Sequence, residues 1–280
     1  MFNEAEKAFN IENYEDVYEY LKTADSVVPK FLLMLGISCF FTGRFQESNK
    51  ILSKVLFLKN IEQNHRPLSE EKIISDGKRL YKLLERMEIN KIKLPYTFDE
   101  PIPQSIERAN ESYVELDQFK IIMLQSGTTA GEQKISEFLD SLKLNLKSSD
   151  SEKRASANFN LAQYLNIRGE DEESIIYYLD SITYGPNKAL HYGYLAQTLL
   201  KLNKQNYIVA TYSRRALDLD PTNARWHFIH GIACNNLGRN FHKSFLNTST
   251  FEFQRALNCC RSEQLSLRKT IEQTMHKLNQ

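Results

Sequence analysis

Apolar residues recur three and four positions apart along almost the whole chain, and no long run alternates strictly between apolar and polar. The first pattern places a stripe along one side of a helix; the second would mark a half-buried strand. Glycine and proline, which interrupt helices, number 10 and 7 in 280 residues. The spacing therefore predicts an all-α chain, long enough to bury a sizeable core.

The most apolar stretch, "FLLMLGISCFFTG", is too short to cross a bilayer and reads as a buried helix. The N-terminal "MFNEAEKAFNIENYED" is acidic and lacks the apolar core of a signal peptide. None of the four cysteines, Cys39, Cys234, Cys259 and Cys260, stands in a C-x-x-C pair. A reducing compartment is expected, cytoplasmic with the nucleus as the alternative, and no membrane partner. Lysine and arginine total 36 against 35 acidic residues, so no overall field draws the chain to nucleic acid.

The segment from Ala155 to Lys188 carries Leu161, Ala162, Leu165, Gly169, Ser174, Tyr178, Ser181 and Pro186 at helix–turn–helix spacing. Small residues at 162, 174 and 181 fall where two helices would approach closely. The same frame, started at Pro29, gives Leu35, Gly36, Cys39, Gly43, Ser48, Leu52 and Val55. Started near Ala189 it gives Leu195, Ala196, Leu199, Ala216 and Pro221. From Ala224 it gives His230, Gly231, Cys234 and Gly238, then a longer turn before Phe253 and Ala256. A shortened copy opens the chain with Ala5, Ala8, Val17, Leu21 and Ala24. This frame resembles the tetratricopeptide repeat (TPR), a 34-residue helix–turn–helix unit. The resemblance implies a right-handed superhelical α-solenoid of TPR-like repeats, with binding and no catalysis.

The middle departs from the frame. "PLSEEKIISDGKRLYKLLERMEI" puts Ile73, Gly77, Leu80, Leu84 and Met87 on one helical face. A proline-containing linker is expected near 91–103, followed by helices near 104–125 and 131–147. Asp150 or Ser151 should cap the next helix. The C-terminal stripe of Leu267, Ile271, Met275 and Leu278 suits a capping helix with a polar back. The expected organisation is N-terminal repeats over 1–62, a divergent segment over 63–150, C-terminal repeats over 151–261 and the cap over 262–280.

His227, His230 and Cys234 share one helix face and, with His242 in the following loop, offer ligand types that zinc accepts. The repeat frame instead assigns them to the packing face, so no metal or other cofactor is expected. No G-x-S-x-G elbow, phosphate loop or H-E-x-x-H motif occurs. The acidic "GEDEES" falls at a turn and helix start, where acids suit the helix dipole. The reading is non-enzymatic.

In the frame, inner positions face a partner. They are Leu33, Ile37, Phe40 and Phe41 near the N-terminus, Phe159, Gln163, Asn166 and Gln197 further along, and Arg225, Phe228 and Asn235 in the last repeat. Amides, one arginine and apolar side chains suit an extended or helical peptide. The inner face around Phe40 and Phe41 is so apolar that a partner segment or the chain's own middle helices should cover it; self-packing is favoured. The carboxylate-clamp set of the family's chaperone-binding members has no match here. The expectation is an adaptor or scaffold holding a protein or peptide within a larger complex. An RNA-binding relative of the same repeat superfamily is an alternative that needs a basic inner surface. "LDLDPTNARWHF" also resembles a repeat of prenyltransferase α-subunits, but only one copy is present.

Overall fold

The computed structural model describes residues 1–24, 28–56, 68–87 and 129–278, and every regular element among them is a helix. In chain order they are α1 (Phe2–Asn10), α2 (Tyr14–Leu21), α3 (Pro29–Phe41), α4 (Phe45–Leu56), α5 (Leu68–Arg86), α6 (Thr129–Leu146) and α7 (Ser151–Ile167). There follow α8 (Asp171–Tyr184), α9 (Ala189–Lys201), α10 (Asn206–Leu219), α11 (Ala224–Asn240), α12 (Phe245–Cys259) and α13 (Leu265–Leu278). The expected linker at 91–103 and the helix near 104–125 lie outside the described residues.

One turn is built four times. Glu12, Gly43, Gly169 and Asn203 adopt left-handed backbone, with φ of 57°, 82°, 82° and 50°. In each case the next residue's N–H reaches back to the carbonyl five positions earlier: Asn13 to Ala8 at 2.9 Å, Arg44 to Cys39 at 2.8 Å, Glu170 to Leu165 at 2.9 Å and Lys204 to Leu199 at 3.0 Å. This closure satisfies a carbonyl that the helix end leaves open and turns the chain into the second helix. Gly43 and Gly169 were legible as turn residues. Glu12 and Asn203 occupy the same place without glycine's freedom.

Small residues set the approach within hairpins. A side-chain carbon added to Gly36 would stand 2.7 Å from Leu52 Cδ2, and one added to Gly231 would stand 2.8 Å from Phe253 Cε1. The closeness lets Ser48 donate to the Gly36 carbonyl at 2.7 Å and Ser249 to the Gly231 carbonyl at 2.8 Å. At the start of α7, Asp150 accepts from the backbone N–H groups of Glu152 and Lys153, the cap the sequence predicts.

The chain divides into two compact units. The first comprises Met1–Lys93, Gln205–Arg214 and Ala224–Gln280, so it combines the two ends of the chain. In it α5 lies against α3 and α4, with Leu80, Leu84 and Met87 buried as the stripe predicts. Helix α3 is apolar all round and buried on most sides. Phe40 meets Phe45 and Phe245 at ring-centroid distances of 5.3 and 5.5 Å, and Phe41 meets Phe245 at 5.2 Å. Thr248 donates to the Phe41 carbonyl at 3.0 Å. The cover over this pair comes from α12, near the end of the chain, while α5, from the middle segment, covers the Leu33 side of the same helix. Helix α13 rests on α12 through Ile271, which is fully buried, with Leu267, Met275 and Leu278 half-buried around it.

The second unit comprises Leu94–Lys204 and Arg215–Asn223. Its described helices α6, α7, α8 and α9 pack each on the next. Ala162, Ser174, Tyr178, Ser181, Leu195 and Ala196 are buried, as the frame requires.

Candidate binding groove

A cavity of about 450 Å³ opens within the first unit along α3. Its floor is Lys30, Met34, Ile37 and Phe41, at intervals of four, three and four, which is one face of that helix. Glu6, Phe9 and Asn10 of α1 form one wall, continued by Glu12 and Tyr14. Lys72, Ile73, Asp76, Arg79 and Leu80 of α5 form the other, and His242 and Ser244 close one end. Lys30 donates to Glu6 at 2.7 Å, tying the floor to the first wall. Tyr14 stacks on Phe41 at 4.7 Å, and the His242 ring lies 5.0 Å from Phe41. Burial, then the Arg79 charge, hold the His242 imidazolium below its ordinary range. Burial, then Glu12, push the Tyr14 hydroxyl well above its ordinary value.

Of the four inner positions expected near the N-terminus, Ile37 and Phe41 line the cavity, whereas Leu33 and Phe40 are not in its lining. Leu33 instead meets α5, its Cδ2 standing 3.0 Å from where a side chain on Gly77 would begin. Phe40 is enclosed by the aromatic cluster. Met34, Ile37 and Phe41 border the cavity together with Lys30, but their side chains are themselves almost wholly buried, at 1%, 2% and 3% exposure. The frame could not locate that face, because the positions of α1 and α5 decide which side of an all-apolar helix borders the cavity.

The other expected residues are partly committed to the chain itself. Gln163 donates to the Tyr178 hydroxyl at 2.6 Å, Asn166 donates to Thr198 Oγ1 at 2.9 Å, and Phe159 stacks on His191 at 4.7 Å. They join α7 to α8 and α9. Gln197 is half-buried and Arg225 exposed. Phe228 packs against Phe253 at 5.9 Å, and Asn235 is buried.

His227, His230 and Cys234 are all buried, on the packing face. Ser213 donates to the Val209 carbonyl at 2.7 Å, so its oxygen accepts from His230 Nδ1–H at 2.9 Å. That leaves Nε2 to accept from the Cys234 thiol at 3.6 Å. Burial holds His230 down at about 4 and pushes the Cys234 thiol well up, so the thiol is not an activated nucleophile. His242 belongs to the groove. Among the described residues no three histidine, cysteine or carboxylate side chains form a group that could hold a metal ion.

A buried chain of charges, invisible to local sequence patterns, runs beside these residues. His227 Nδ1 meets Glu252 at 2.5 Å, Arg214 Nη1 reaches Glu252 at 3.6 Å and Glu15 at 2.7 Å, and Arg44 Nη1 reaches Glu15 at 3.5 Å. Arg44 also donates to Thr42 at 2.7 Å and stacks over the Tyr18 ring at 3.7 Å. Burial alone would raise both carboxyls. For Glu15 the Arg214 and Arg44 charges outweigh it, and for Glu252 the His227 hydrogen bond and neighbouring cations do, so both lie below the ordinary range.

No protein-family model matches the sequence, and no curated protein matches it. Two solved structures align along most of the chain. The TPR2AB domain of yeast Sti1, in complex with pHSP90, is 12% identical with a TM-score of 0.39, covering 99% of this chain and 96% of that one. Yeast Tom70 is 14% identical with a TM-score of 0.39, covering 96% of this chain and 66% of its own. Values this low supply no residue correspondence. The repeated turn and the small-residue contacts are the chain's own evidence, and they repeat in register with the sequence frame. The helical hairpins are TPR-like.

Proposed function

We propose that the protein is a non-catalytic interaction module, an adaptor or scaffold that holds a peptide or partner segment in the α1–α3–α5 groove as part of a larger complex. The observation that carries this reading is the groove itself: an apolar floor rimmed by charged side chains, in a cavity of about 450 Å³. Its lining combines Phe9, Met34, Ile37, Phe41, Ile73 and Leu80 with a larger share of charged and polar side chains, and concave sites that join the two kinds of group are where ligands are held and oriented. The lining holds as many acids as bases, which suits a peptide better than a phosphate backbone and weighs against RNA. The one buried cysteine–histidine pair is spent on internal hydrogen bonds, so nothing at the groove points to covalent chemistry. Among the described residues no helix is long and apolar enough to cross a membrane; the cytoplasm, or the nucleus, is the proposed compartment.

The test is selection of a random twelve-residue phage-displayed peptide library on the full-length protein. Selected peptides are then measured against Asn10→Trp, which puts an indole at the groove wall from an exposed helix end. Loss of binding by tenfold or more is expected. Selected peptides that bind the variant unchanged would show that the groove is not the site.

A further inference from the structure

Helix α13 is seated through one well-buried side chain. Ile271 is fully covered, whereas Leu267, Met275 and Leu278 on the same stripe stay half-buried and Leu265 is 70% exposed. Helix α12, of similar length, buries Phe245, Ser249, Phe253 and Ala256. Arg268 reaches across the α12–α13 joint to the Leu257 carbonyl at 3.3 Å and the Cys260 carbonyl at 3.5 Å, both long contacts. Thr270 and Thr274 donate to carbonyls of α13 itself, so the helix keeps these bonds when it lifts away. A terminal helix with so little buried surface belongs to the least stable part of a fold.

Beneath it lies an apolar face. Ala224, Phe253, Ala256 and Cys260 form one cluster with Ile271, and Phe228 and Ile232 of α11 pack against that cluster while staying half-buried. Phe228 and Ile232 stand four residues apart, on one side of α11. The α13 cover thus leaves apolar surface of both helices partly in water. No residue of α11 or α13 lines the groove, so the two surfaces are separate.

We propose that α13 is a detachable cover over a second interaction surface, and that an amphipathic helix of a partner protein takes its place there. Recognition follows the pattern of α13 itself: apolar residues four, four and three positions apart, as in Leu267, Ile271, Met275 and Leu278, with a polar back. A second copy of the chain offers only the same helix, and the tethered α13, at an effective concentration on the order of millimolar, outcompetes it. A partner helix with a broader stripe displaces α13 by burying the surface left open around Phe228 and Ile232.

Three measurements on the full-length protein test this. In amide hydrogen exchange, α13 is expected to exchange at least about a hundredfold faster than α12; equal rates would mean that the cover opens only with the whole unit, and would overturn the proposal. Ile271→Asp puts a charge where α13 is seated and releases it. By anisotropy, a fluorescein-labelled peptide of residues 265–278 should bind this variant at least about tenfold more tightly than the unaltered protein, where the tethered helix competes. The same peptide carrying Ile271→Asp should bind neither. No preference for the variant, with Trp226 fluorescence showing it folded, would overturn the docking surface. A peptide broadened by Thr274→Leu, at a half-buried position, needs no variant protein. It should bind the unaltered protein about fivefold more tightly than the plain peptide; equal affinities would overturn displacement by a partner. A dimer of the unaltered protein that Ile271→Asp abolishes would give the face to a second copy and overturn the partner as well.

Discussion

Replacing Glu15 by glutamine removes the negative charge on which two buried arginines converge. Arg214 donates to it at 2.7 Å and Arg44 approaches at 3.5 Å, with Arg44 and Arg214 only 6% and 8% exposed. Taking one partner from a buried ion pair costs about 3–5 kcal/mol, because the remaining charge keeps its desolvation penalty without its attraction. Glutamine preserves the shape and an acceptor for Arg214, so the expected loss is at the lower end, about 3 kcal/mol. Urea unfolding followed through Trp226 is a suitable assay: it is the only tryptophan, it is buried, and it lies in the same unit. The pH profile supplies a second check. Glu15 and Glu252 have folded values below the ordinary 4.5. Their contribution is therefore present above pH 4.5 and is lost as pH falls toward the folded values. Glu15→Gln should flatten that acid limb, leaving the part due to Glu252. A stability change below about 0.5 kcal/mol, the range of an ordinary surface substitution, together with an unchanged acid limb, would refute the assignment of Glu15 as the hub of the network.

Gly43 and Gly169 share a φ of 82°, but a side-chain carbon on Gly43 would stand 2.7 Å from His230 Cε1 whereas one on Gly169 would meet nothing within 4 Å. Gly169→Ala should therefore cost about 1–2 kcal/mol, the left-handed backbone penalty alone, and Gly43→Ala clearly more, as read by thermal unfolding; equal losses would discount the His230 contact. Ala216→Leu, at a fully buried position, should overpack its hairpin and cost about 1–3 kcal/mol, and a neutral result by the same measurement would contradict the repeat register there. In the folded protein a thiol reagent should label half-buried Cys259 first and reach Cys39 and Cys234, both fully buried, only on unfolding, as mass spectrometry of timed samples would show.

Local pattern was enough for everything that one hairpin decides. The 3.6-residue period sets which face of α5 is buried, small residues mark where helices touch, and Gly43 and Gly169 mark the turns, because each of these effects acts between residues close in the chain. Even the demotion of His227, His230 and Cys234 from ligands to packing residues follows from their place in the frame. Tertiary structure alone decided the rest. Glu15 meets Arg214 across 199 residues and Thr248 meets Phe41 across 207, and nothing local to a glutamate or a phenylalanine names so distant a partner. The groove depends on the same kind of choice. Helix α3 is apolar on every side, so its sequence cannot say which neighbour covers which side; α1, α2, α4, α5 and α12 share that cover, and the Lys30–Phe41 stripe is the side that borders the cavity.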